Sequence, residues 1–163
     1  EELPNVSLRF IENPYFTDIK NSFKSKILNK SSTLDILFVS SNFDEVSSKN
    51  NYVNFTDLQI IKAFLTNISQ WFSSKRINKI TIRPHPSESP DKYLNFLNND
   101  YNIVIDKNLS LSESLSHHTH VVGFESMALV VAKYCNLVTM NIDLGIKELM
   151  TIPDEFIDQY IVF

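Results

Sequence analysis

From Leu34 onward the chain alternates between short unbroken apolar runs and longer stretches with apolar residues every three or four positions. Leu34–Ser40 is a run of the first kind and suits a strand covered on both faces, and Lys79–Arg83, Tyr101–Ile105, Thr119–Gly123 and Leu137–Met140 read as further strands. Thr56–Ser74 is the clearest helix, with Leu58, Ile61, Leu65, Ile68 and Phe72 on one stripe and Thr56 or Asp57 as its cap. Trp71 and Phe72 belong to that stripe and read as core. Pro90–Asn98 and Ser110–His117 predict shorter helices, and Ser126–Tyr134 predicts a helix apolar on nearly every side and therefore deeply buried. Gly145–Met150 predicts a helical turn and Tyr160–Phe163 a last strand. Before Leu34 the alternation is missing. Asn13–Phe16 reads as a turn, followed by a helix over Thr17–Leu28.

Strands alternating with helices of this length imply right-handed crossovers, a mostly parallel sheet and an α/β, doubly wound order. In such sheets ligands bind outside the carboxyl ends of the strands, near the point where the strand order reverses. That rule selects Ser40–Phe43, Arg83–Glu88 and Gly123–Ser126. The connection Asn42–Phe55 is longer than most in α/β proteins, which suits a functional loop.

Composition narrows the classes. At 163 residues with 43% hydrophobic residues, the chain suits one domain with a substantial core. Net charge is -4 with the signs well mixed, which excludes a basic nucleic-acid-binding face. The single cysteine, Cys135, rules out an intrachain disulfide and sits in an apolar run, as a buried inert thiol would. No apolar run nears the ~20 residues of a membrane span. A cytoplasmic location is expected, with peripheral membrane association left open.

Arg83-Pro84-His85-Pro86-Ser87-Glu88 is the strongest candidate for ligand binding. Its two prolines fix φ and remove two backbone donors, so the polar side chains are held in set directions. Arg83 offers a planar fork to phosphate or carboxylate. His85 can donate to a phosphate oxygen or act as an acid near neutral pH. Ser87 and Glu88 can accept from ribose hydroxyls. The bland reading is a stiff strand exit whose polar groups meet water.

The second candidate is Gly123-Phe124-Glu125-Ser126. Gly123, one of two glycines, permits a close ligand approach or an unusual φ. Ser126 opens a helix whose free N–H groups favour phosphate, although serine is also an ordinary N-cap. Glu125 suits a ribose diol. Ser40 and Ser41 end the first strand, as phosphate donors or as a plain turn. His117, His118 and His120 raise the thought of zinc, but adjacent residues seldom ligate together, and a solvated turn is the expectation. Glycine-rich dinucleotide fingerprints, P-loops and nucleophile elbows are all missing.

The two candidate segments together resemble the carboxyl-terminal domain of GT-B-type glycosyltransferases. Arg-Pro-His-Pro-Ser-Glu with Gly-Phe-Glu-Ser-Met-Ala-Leu is most similar to the bacterial sialyltransferase and polysialyltransferase-like group and related capsule polysaccharide enzymes. Ile11–Phe16 resembles the passage between the two domains of such enzymes. The resemblance implies that residues 1–30 are an interdomain connection and first helix, and that 31–163 form a Rossmann-like nucleotide-binding domain. It implies a sugar-nucleotide donor, a CMP-sugar in preference to a UDP-sugar, a glycan acceptor, and no metal or other cofactor. His85 and Ser126 would touch the donor phosphate, His85 in a catalytic role, and the catalytic base would come from a missing amino-terminal domain. Glu125 stands where the family often has a second serine. Two alternatives remain open: a UDP-sugar epimerase-like domain and a non-catalytic α/β interaction module.

Overall fold

The computed structural model describes residues 13–23, 33–44, 55–73, 76–108 and 110–163. Its centre is a six-stranded, all-parallel sheet in the order β3-β2-β1-β4-β5-β6. The strands are β1 (Thr33–Val39), β2 (Arg76–Arg83), β3 (Ile103–Ile105), β4 (His120–Gly123), β5 (Val138–Asp143) and β6 (Gln159–Val162). The chain moves outward from β1 to β3, then returns to place β4 on the other side of β1. The sheet is therefore doubly wound and Rossmann-like, with its order reversing between β1 and β4.

The central strands β1 and β4 bury both faces, as their apolar residues require, whereas the edge strands β3 and β6 leave Val104 and Val162 exposed. Ile36, Phe38, Ile80, Ile82 and Val122 pack on one side with Ile61, Phe64 and Ile68 of α2 (Asp57–Trp71). Leu37, Val39 and Val121 pack on the other with Leu115 of α3 (Leu111–Leu115) and with α4 (Met127–Tyr134). Phe64 and Leu129, one on each side, are fully buried, each worth about 1.5–3 kcal/mol of transfer free energy. α2 begins with a capping box. Thr56 Oγ1 accepts from Gln59 N, and Gln59 Oε1 accepts from Thr56 N. Cys135 is buried at the end of α4 and is a free thiol.

Several expected elements change. Asn13-Pro14 is the start of a helix, α1 (Pro14–Ser22), and not a separate turn. Asn13 Oδ1 caps Tyr15 N at 3.0 Å, and proline suits the first helical turn. α1 ends at Ser22, and the rest of the expected segment to Leu28 lies outside the described residues. Its Phe16 stacks on Tyr134 of α4, with ring centroids 4.5 Å apart, so α1 belongs to the same packed body. Pro90–Phe96 is a 3-10 helix, and shorter 3-10 turns occur at Lys147–Leu149 and Asp154–Phe156. The connection after Asn42 lies partly outside the described residues.

The histidine cluster is a further correction. His117 is exposed, as a solvated turn requires, but His118 and His120 are buried. His118 Nδ1 lies 2.6 Å from Ser114 O and its Nε2 2.7 Å from Thr81 Oγ1. A carbonyl can only accept, so Nδ1 carries the proton and the Thr81 hydroxyl donates to Nε2. Burial pushes the His118 pKa down. His120 opens β4 and meets the edge of Phe72. Among the described residues no helix is long and apolar enough to cross a membrane.

Candidate functional site

The reversal of strand order opens a cleft of about 440 Å³ at the carboxyl edge of the sheet. Ser40 and Ser41 reach it from β1, Arg83 and His85 from β2, and Glu125 and Ser126 from the turn after β4. Tyr15 of α1, Leu111 of α3 and the first residues of α4 complete its wall. Three segments separated by some forty residues each thus converge, as the strand-exit rule expects. Ser87, Glu88 and Gly123 do not line the cleft.

At the β2 exit the charges are mostly turned to internal partners. Arg83 Nη1 bonds Asp106 Oδ2 at 2.6 Å, Ser114 Oγ at 2.8 Å and Asn108 O at 3.1 Å. Burial alone would raise the Asp106 pKa, but bonds from Ser114 and Arg83 outweigh it and hold it low. The guanidinium is thus braced from one side while its body borders the cleft. Glu88 does not face solvent as a ribose acceptor would. Its side chain is 4% exposed and its oxygens accept from Lys92 Nζ at 2.5 Å, His85 N at 2.9 Å and Tyr93 Oη at 2.8 Å. Those bonds hold its pKa below the ordinary value against the opposing effect of burial.

Lys92 sits among three carboxylates, Asp44, Asp57 and Glu88. Burial opposes its charge, yet those partners raise its pKa. Asp57 is pushed up by burial despite Lys92. Ser40 is buried within the same network. The phenol of Tyr93 has one proton, and the Glu88 carboxylate can only accept it, so the Ser40 hydroxyl donates to Tyr93 at 2.8 Å. Ser40 therefore anchors the β1 exit to the Pro90–Phe96 helix. Its neighbour Ser41 differs, since its hydroxyl oxygen is buried and has no hydrogen-bond partner among the described residues. Buried polar atoms are nearly always paired, so a lone hydroxyl bordering a cleft suits a bound ligand.

His85 is the polar group left open at this exit. Its Nδ1 is engaged by Ser87, and no protein partner occupies Nε2 among the described residues.

At the β4 exit the turn is strained and self-contained. Glu125 has φ of 45°, in the left-handed region where side chains other than glycine are uncommon. Asn141 on β5 clamps it: Asn141 Oδ1 accepts from Glu125 N at 3.0 Å, and Asn141 Nδ2 donates to Glu125 Oε1. The other carboxylate oxygen accepts from Thr151 N, Thr151 Oγ1 and Ile152 N. Both oxygens are thus occupied, and the expectation that Glu125 holds a ribose diol is replaced by a structural role. Gly123 is also structural. A Cβ there would lie 2.6 Å from Val39 Cγ2 and 3.0 Å from Val39 O, so the close approach it permits is between β4 and β1 and not to a ligand. Ser126 is the N-cap of α4, its Oγ accepting weakly from Ala128 N at 3.4 Å. Capping uses the oxygen as an acceptor, so the hydroxyl proton remains free to donate into the cleft.

Sequence reading missed Asp106 and Asn141, and covered Asn42 only as part of the Ser40–Phe43 exit. Asp106 follows β3 directly, so the rule that selected the other strand exits could have flagged it. Nothing local marks Asn141 or the role of the Asn42 side chain, because their partners lie 16 and 45 residues away.

A second cavity, of about 360 Å³, lies between α2 and the end of β6, lined by Phe55, Ile60, Ala63, Leu144 and Phe163 among others. Among the described residues its polar side chains are those of Gln59 and Asp143, with no cation, hydroxyl or imidazole. Of these two cavities, the cleft at the strand reversal is the one lined by a cation, hydroxyls and an imidazole. Compared with known proteins, the chain matches no family model, no curated protein and no solved structure.

Proposed function

We propose that the cleft binds the phosphate of a sugar nucleotide, and that the chain is the donor-binding part of a glycosyltransferase. The observation that carries this reading is the convergence of His85, the lone Ser41 hydroxyl and the start of α4 on one cleft at the strand reversal. His85 Nε2, the Ser41 and Ser126 hydroxyls and the first N–H groups of α4 supply hydrogen bonds to an oxyanion. Such donors, fixed in advance, stabilise the negative charge that gathers on a departing phosphate. Displacement at the anomeric carbon would follow once an acceptor is activated by a base on another domain.

The electrostatics favour a ligand of low charge. Asp106 offsets Arg83, and Glu125 adds a carboxylate at the rim. Little positive potential remains beyond that of the α4 terminus, which suits the single phosphate of a CMP-sugar better than a diphosphate. Calorimetric titration with CMP, UDP and cytidine tests this. CMP should bind with a Kd near or below millimolar, UDP more weakly, and cytidine not measurably. His85→Ala should weaken CMP about tenfold, the loss of one bond to a charged group, with Tm within about 2 °C of the parent. Absence of CMP binding at millimolar ligand would sink the reading.

A further inference from the structure

We propose that Ser87 is a positioning residue that, together with Asn42, locks His85 as the Nε2–H tautomer. The backbone N–H of Ser87 lies 3.3 Å from His85 Nδ1 and can only donate, so Nδ1 must present its lone pair. Ser87 Oγ lies 2.7 Å from the same nitrogen and 2.9 Å from Asn42 Nδ2. The amide of Asn42 donates to that hydroxyl oxygen, and the one hydroxyl proton points on to Nδ1. The chain of donation runs from Asn42 through Ser87 to His85, and the ring proton resides on Nε2.

Two further features support a built device. Asn42 has φ of 55°, a left-handed conformation that Asn tolerates better than most residues. That backbone holds its amide across the gap between the β1 and β2 exits. Pro84 and Pro86 flank His85, which limits the freedom of the segment on both sides. Ser87 was expected to meet a ribose. Its hydroxyl proton is instead committed to His85, from outside the cleft.

The consequence is functional. A neutral imidazole carrying Nε2–H donates to a ligand oxygen, whereas the other tautomer would turn a lone pair toward it and repel it. This use of the tautomer rests on the phosphate reading above, but the tautomer itself does not depend on any ligand.

Long-range ¹H–¹⁵N NMR of the ligand-free chain at about pH 9, where a histidine is neutral, reads the proton's position directly. His85 should show a protonated Nε2 and a bare Nδ1. In Ser87→Ala the ratio of the two tautomers should fall roughly fivefold, the worth of one net hydrogen bond, while Ser87→Thr restores it. A predominantly Nδ1–H ring in the parent, or the same ring nitrogen shifts in the parent and Ser87→Ala, would overturn the proposal. Failure of CMP to bind would leave these shifts untouched, so the two readings fail separately.

Discussion

The exits of β2 and β4 look alike in sequence, each a short polar segment at the carboxyl edge of the sheet, yet they spend their polar groups differently. At the β2 exit the acid faces inward, where Glu88 meets Lys92 and Tyr93, and the histidine is left with an open donor edge. At the β4 exit the acid Glu125 is absorbed by Asn141, Thr151 and Ile152, and the helix start at Ser126 is what remains open. In both, the carboxylate is a structural tie, and what faces the cleft is a hydrogen-bonding group without a counter-charge of its own. A charged residue at a strand exit thus says little about a ligand until its partners are known.

Lys92→Met should break the β2 side most severely. It removes a cation that bridges three carboxylates, of which Asp57 and Glu88 have side chains only 4% exposed. Leaving buried charge unpaired costs about 3 kcal/mol or more, measurable by urea unfolding. The loss should shrink as the pH falls through the carboxylate range, because Asp57, whose pKa burial already raises, can then shed its charge. A loss independent of pH would show that the network's charges are not what matters.

Gly123→Ala probes the β4 side by packing instead of charge. Its Cβ would press on the backbone oxygen of Val39 as well as on its methyl group, and backbone yields less readily than a side-chain tip. A loss of about 1–3 kcal/mol is expected by urea unfolding, typical of an overpacked site. A neutral substitution would mean that β1 and β4 are free to separate, and would undo the account of this glycine.

A smaller effect comes from His118, which lies beneath the brace on Arg83 through Ser114. Its folded pKa is depressed, so as pH falls through the ordinary value of 6.5 the unfolded chain takes up a proton that the folded chain refuses. Stability is full above that pH and declines below it, until the folded pKa is reached. The depressed carboxylates Glu88, Asp106 and Asp158 act only at lower pH, near and below their ordinary values of 4.5 and 3.8. Tm measured from about pH 7 to 5.5 should fall in the parent and fall less steeply in His118→Gln. Equal slopes would remove His118 from the account.

The layers of the fold were legible because parallel strands bury both faces and leave a signal within five or six consecutive residues. Leu34–Val39 and the stripe from Leu58 to Ile68 needed no distant information. The strand reversal was not visible as such, but the rule about carboxyl ends selected three exits that line one cleft. What could not be read was where each polar side chain points. Glu88 finds Lys92 four residues on, but Glu125 finds Thr151 and Arg83 finds Asp106 only after folding. His118 looked like part of a wet turn, since its partner Thr81 is 37 residues away. Asn13-Pro14 reads as a turn from sequence, yet a capping asparagine followed by proline also begins a helix, as it does here.

The most direct test of the central claim is a map of backbone amide shifts in a ¹H–¹⁵N titration with CMP. The account predicts that the largest changes fall together on Ser41, His85 and Met127–Ala128, from three strand exits that share one cleft. Changes centred on Phe55 and Phe163, or none at millimolar CMP, would contradict it.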